Sequence, residues 1–142
     1  MAHDVRALAR RWFEEVWTPS GEPTIDALMA EDAIGHMEGA EVHGPAAFKA
    51  VRAELLGAFP DLRVRVEDIV ADGDNAVIRW NATASHEGDD LGIPASHQQV
   101  RFRGMTWLKF RDGRIVEGWD AWNQGALIQE LSAIDASGVG AG

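Results

Sequence analysis

Apolar residues recur at two different periods along this chain, and the change of period divides it into a helical part and a strand part. Val5, Leu8, Ala9, Trp12, Phe13, Val16 and Trp17 follow the i, i+3, i+4, i+7 rule of an amphipathic helix. Asp4 stands where a cap or first-turn acid belongs, and Thr18-Pro19-Ser20-Gly21 stops the run, so a helix is predicted over about residues 4–17. A short second helix is predicted from Pro23 to Ala30, with proline in its first turn. Asp32 to Glu38 reads as a short strand or a turn. His43-Gly44-Pro45 then opens a third helix over about 45–58. Phe48, Val51, Leu55, Leu56 and Phe59 form its inner side, and Pro60 ends it.

From Leu62 onward the period falls to two. Leu62, Val64, Val66 and Ile69-Val70 alternate with Arg63, Arg65 and Glu67, and Asp72-Gly73-Asp74-Asn75 signals a hairpin. The returning strand runs from Ala76 to Ala84. His86 to Ser96 is a loop rich in Gly, Asp and Pro. Gln99 to Phe110 and Ile115 to Trp122 are strands joined by a turn at Arg111-Asp112-Gly113-Arg114, and Gln124 to Ala133 reads as a closing helix. The pattern predicts an α+β domain with every long strand after Leu62. A single domain is expected over residues 1–134, with a flexible tail over 135–142. Periodicity leaves open whether the sheet curves around a helix, leaving a pocket, or lies flat.

At 142 residues with 46% hydrophobic positions, the chain can bury a real core. No apolar run approaches the roughly 20 residues that cross a bilayer, and the N-terminal stretch lacks the apolar segment of a secretory signal. There is no cysteine. This removes disulfides, thiolate nucleophiles and Cys-based metal sites, and fits a cytoplasmic location. The net charge of −10 disfavours nucleic acid as a partner. The basic residues, Arg10-Arg11 and the Arg63, Arg65 pair among them, read as scattered and solvated.

Asp120 is the carboxylate of most interest. Alternation puts Gly118, Asp120 and Trp122 on one face of their strand and Glu117, Trp119 and Ala121 on the other. Unpaired glutamates are almost never buried, so the Glu117 face is the outer one and Asp120 points inward. There its pKa is expected to rise by desolvation, which suits proton transfer. The alternative is a strand-end acid facing water. His86, at the start of the loop, either assists Asp120 and a substrate carbonyl or bonds the loop backbone. His36 is a second candidate. His43 looks like a helix-entry residue, His97 an exposed strand start, and His3 a terminal residue. No histidine pair has the helical spacing with a following carboxylate that marks a zinc site, so no metal or cofactor is expected. Asp32 and Asp68 are rival acids; Asp68 reads as an outer-face residue. Trp107 and Trp119 fall on adjacent strands of one hairpin and are expected to pack together. Trp12, Phe13 and Trp17 serve either as core or as cavity wall. An outer sheet face mixing charge with such rings predicts a homodimer, or a dimer of dimers.

Several ordered motifs resemble one family. His43-Gly44-Pro45, Phe59-Pro60-Asp61, Val66-Glu67-Asp68-Ile69-Val70 before Asp72-Gly73, Arg79-Trp80, Ser85-His86-Glu87-Gly88, Gly92-Ile93-Pro94-Ala95, Val100 to Gly104 and Asp112 to Asp120 are similar in order and spacing to the SnoaL-like polyketide cyclases of the nuclear transport factor 2-like superfamily. The resemblance runs from the first helix to Leu131. It implies a cone-shaped α+β barrel, a curved antiparallel or mixed sheet wrapped around the N-terminal helices, with a hydrophobic cavity. It implies an acid on the last strand, by position Asp120, that works without cofactor or metal: it removes a proton next to carbonyls, and the enolate closes a ring by intramolecular aldol attack. The expected catalytic set is Asp120, His86 and His36. The expected walls for a hydrophobic small-molecule substrate are Trp12, Phe13, Trp17, Phe59, Trp80, Phe102, Trp122 and Asn123. In such proteins a histidine often stands two residues before the acid and a further acid shortly after it; here those positions hold Gly118 and Asn123. Dehydration, isomerisation, epoxide hydrolysis and non-catalytic ligand binding are the alternatives on this scaffold.

Overall fold

The computed structural model describes residues 4–37, 39–123, 125–129 and 131. Three helices precede the main strands: α1 (Val5–Glu15), α2 (Glu22–Leu28) and α3 (Gly44–Ala58). Asp4 caps α1, its Oδ1 accepting from Ala7 N at 3.0 Å. The C-terminal carbonyls of α1 are met by Arg52 of α3, which is buried and donates from Nε to Val16 O and from Nη2 to Thr18 O. One buried guanidinium therefore satisfies the end of one helix and ties it to another.

The strands are β1 (Met29–Met37), β2 (Ala40–His43), β3 (Arg63–Asp72), β4 (Asn75–Ser85), β5 (Gln99–Arg111) and β6 (Arg114–Trp122). They form one curved, open sheet in the order β2-β1-β6-β5-β4-β3. All neighbours are antiparallel except β1 and β6, which run parallel, so the sheet is mixed. α1 packs against β3 and β4, and α3 against β1 and β2. The α+β architecture is the one expected.

Two local expectations need correction. The second helix ends at Leu28, and β1 is a nine-residue strand well before Leu62. It turns back through Gly39 (φ 78°) into β2 and uses its other edge to pair with the last strand. The basic residues also are not all scattered. Register sets Arg63 beside Thr83 beside Arg101, and Arg65 beside Asn81 beside Arg103. Two strand spacings are about 10 Å, so these four exposed arginines share one end of the outer sheet face.

Two bulges decide which side chains face inward. On β3 the register slips between Val66 and Asp68, so Val66 and Ile69, three residues apart, both face the helices. On β6 it slips opposite Lys109 and Phe110. Ile115 is buried inward, and beyond the extra residue Gly118, Asp120 and Trp122 share that inner face. Asp112 (φ 53°) and Gly113 (φ 77°) make the two-residue turn of the β5–β6 hairpin, in the left-handed region such turns require. The expected closing helix over Gln124 to Ala133 is matched by helix over 125–129 and at 131. Its remaining positions, the 135–142 tail and His3 lie outside the described residues.

Candidate active site

A cavity of about 270 Å³ lies between the helices and the inner sheet face. Aromatic rings make much of its wall: Trp12, Phe13 and Trp17 from α1 and the residues just after it, Phe48 from α3, and Trp80, Phe102 and Trp122 from the sheet. The rings brace one another. Trp80 lies 6.3 Å from Phe13 and from Trp122, and Phe102 lies 5.0 Å from Trp122. Gly104 makes this packing feasible, since a Cβ there would sit 2.6 Å from the Trp122 Cβ and 2.7 Å from the Trp80 ring.

Asp120 lines the cavity and is partly buried. Its β5 partner is Thr106, whose Oγ1 donates to Asp120 Oδ1 at 2.6 Å. Trp80 Nε1 donates in turn to Thr106 Oγ1 at 3.0 Å. Thr106 is buried and has no counterpart among the residues singled out from sequence. Gly118 lines the cavity beside the acid and lets the Leu108 side chain pack close, since a Cβ built there would lie 3.2 Å from it. Glu54 of α3 is the second carboxylate on the wall and is exposed. No lysine or arginine lines the cavity among the described residues.

The other sequence candidates are placed as follows. His36 is among the lining residues, yet its ring belongs to the other side of the sheet. It stacks on Trp119 at 5.5 Å between centroids, and its Nε2 is 2.7 Å from Glu117 Oε2. Parallel pairing of His36 with Trp119 puts both on the outer face, so the ring does not reach Asp120. His86 is fully buried but does not line the cavity. It closes the root of the 86–98 loop: its Nδ1 accepts from Ser96 N at 3.3 Å, its ring rests on Phe59, and its backbone bonds to Gln98 O. Phe59 is likewise core, filling space between His86 and Phe102. Asn123 caps the last helix by accepting from Ala126 N at 2.9 Å, and it borders a separate shallow depression. Asp32 is exposed and paired with Arg111, and Asp68 is exposed. His97 is exposed and bonded to Glu87; His43 precedes α3 and bonds Glu41. Trp107 and Trp119 do pack together, 5.4 Å apart, on the outer face. Among the described residues no cluster of His, Cys, Asp or Glu is arranged to hold a metal ion, and no helix is long and apolar enough to cross a membrane.

The fold and site define a small α+β domain whose curved sheet and helices enclose an apolar chamber with one carboxylate on its inner sheet face. The chain belongs to the SnoaL-like polyketide cyclase family, whose model matches residues 7–131. It is similar to the crystal structure of a proposed SnoaL-like polyketide cyclase from Jannaschia sp. CCS1, at 25% identity and a TM-score of 0.84 over 94% of this chain and 97% of that one. It is also similar to AclR, a proposed hydroxylase from Streptomyces galilaeus, at 29% identity and a TM-score of 0.80 over 92% and 96% of the two chains. A proposed polyketide cyclase from Acidithiobacillus ferrooxidans matches at 25% identity and a TM-score of 0.78, covering 94% and 97%. No curated protein matches the chain.

Proposed function

We propose that this protein is a cofactor-independent enzyme that closes a ring in a flat, hydrophobic, carbonyl-bearing substrate, with Asp120 as its acid/base. The observation that carries this reading is the placement of Asp120 within a chamber walled mainly by aromatic rings and aliphatic side chains. A carboxylate so placed can take a proton from a carbon between or beside carbonyls. The enolate carbon then attacks a second carbonyl of the same molecule, forming the C–C bond, and Asp120 returns its proton to the new alkoxide. No atom is gained or lost. The chamber's main task is to hold the two reacting carbons close, an orientation effect that can lower a barrier by several kcal/mol.

Charge narrows the substrate class. With Asp120 and Glu54 on the wall and no cation there among the described residues, an anionic ligand would enter unpaired. The substrate is therefore neutral. Epoxide hydrolysis fits less well, because among the described residues no arginine lines the wall to stand beside the attacked oxygen. The same chamber serves a non-catalytic ligand carrier, in which Asp120 is a hydrogen-bonding anchor. The test is turnover of a linear aromatic polyketone, with the cyclised isomer followed by mass-neutral chromatographic shift. Ring closure by the wild type and its loss in Asp120→Asn support the enzyme. Tight binding with no product supports the carrier.

The outer sheet face suits a second copy of the chain. Met105 and Trp107 are exposed at its centre, the four arginines lie towards one end, and Asp72, Glu117 and Glu41 lie on its other parts. Turning one copy end over end sets arginines against acids around stacked rings, as a two-fold interface requires. Light scattering tests this: a dimer that Trp107→Glu dissociates supports it, and a monomer at high micromolar concentration overturns it.

A further inference from the structure

We propose that Thr106 is a positioning residue for Asp120 and that Trp80 fixes the sense in which it works. The proposal rests on the reading of Asp120 as the acid/base. An indole N–H can only donate, so Trp80 Nε1 occupies a lone pair of Thr106 Oγ1. That leaves the threonine hydrogen for Asp120 Oδ1, and the 2.6 Å separation is the short distance of a hydroxyl donating to a carboxylate. Thr106 and Trp80 are 4% and 7% exposed, so water does not compete for the bond between them. The β-branched side chain of Thr106 on an inner strand has few rotamers, and it stands between Ile78 on β4 and Asp120 on β6.

The direction of this relay has a chemical consequence. Oδ1 is an acceptor whether Asp120 is ionised or carries a proton on Oδ2, because a carboxylic acid's carbonyl oxygen still accepts. The Thr106 bond therefore stays in place while the carboxyl takes up and returns the substrate's proton. Oδ1 thus keeps the same partner through the cycle. Without the relay Oδ1 loses its fixed donor on the chamber wall. Misplacement of about 1 Å can cost as much as 100-fold in rate.

A purely structural role would have the same bonds only satisfy the buried indole and hydroxyl. Thr106→Val separates the two, because it keeps shape and removes the oxygen. Proton exchange at the α-carbon of 2-tetralone, a flat neutral ketone, is the rate to follow. The proposal expects kcat for exchange to fall about 10- to 100-fold while KM changes less than about 3-fold, and Thr106→Ser to restore most of it. In parallel, NMR should show the Trp80 indole N–H exchanging faster with solvent in Thr106→Val, and the Asp120 carboxyl carbon signal moving. Loss of kcat that serine does not rescue, or an unchanged Asp120 signal, overturns the relay. If Asp120→Asn abolishes exchange and Thr106→Val leaves it intact, the positioning role fails alone. If Asp120→Asn is itself active, the acid/base reading fails first.

Discussion

Replacing Gly104 with alanine should destabilise this protein, although the same change at an open site stabilises. An added Cβ at residue 104 would lie 2.6 Å from the Trp122 Cβ, 2.7 Å from Ala121 O and 2.7 Å from Trp80 Cζ2. Ordinary contact is about 3.4–4 Å, so each neighbour must retreat by up to an ångström. Two of the three are held by backbone. The third is the ring of Trp80, wedged against Phe13, Phe102 and Trp122 and bonded to Thr106. Either β5 and β6 separate locally or Trp80 rotates and gives up that bond. Overpacking of this kind costs about 1–3 kcal/mol, against a gain of roughly 0.5 kcal/mol from restricting the unfolded chain. A domain of this size loses about 2–4 °C of Tm per kcal/mol, so thermal denaturation by circular dichroism should show a drop of about 5 °C. Gly125→Ala is the control. It adds a Cβ with nothing within 4 Å, at the start of the last helix, and should raise Tm slightly. If Gly104→Ala raises Tm as well, the close packing of Trp80, Gly104 and Trp122 is wrong.

Arg52→Met should lower stability by about 2–4 kcal/mol in chemical denaturation, because Val16 O and Thr18 O lose charged donors at a buried helix end; an unchanged midpoint would contradict the capping role. Asp61 is held below the usual carboxylate range by the Ser85 backbone N–H, 2.7 Å from its Oδ1. A lowered folded-state pKa gives stability that is present above the unfolded value, about 3.9, and lost as pH falls through the folded one. The stability gap between wild type and Asp61→Asn should thus close on acidification, and a gap constant down to pH about 2 would refute the linkage.

How much of this could be read from the chain depends on how local each determinant is. α1 was legible because its apolar face, cap and stop all lie within one segment. The inward aim of Asp120 was legible because alternation and the outward Glu117 agree over six residues. Its partner was not. Counting back evenly from the Asp112-Gly113 turn sets Met105 opposite Asp120; the bulge after Ile115 shifts the register by one and brings Thr106 there instead. β1 reads as a short segment because small residues, Ala33 and Gly35, hold inner positions and its pairing with β6 is itself irregular between Met29 and Ile34. His86 reads from the sequence as the first residue of a loop. It is buried because Glu87 and Gly88 bond Ala58 O at the end of α3 and draw the loop root inward, a contact between distant segments. The arginine patch is not local in sequence for the same reason: Arg63 and Arg101 are brought together only by the strand between them.

Asp120 is proposed to move protons at carbon inside the chamber. The most direct measurement of this is deuterium incorporation from D₂O into 2-tetralone, followed by NMR with wild type and with Asp120→Asn, alongside ligand affinity from tryptophan fluorescence quenching. Exchange should run well above buffer for the wild type and fall about 100-fold or more in the variant, while the two affinities for the ketone differ far less than the rates. Equal exchange by the two proteins, or wild-type binding without exchange, would contradict it.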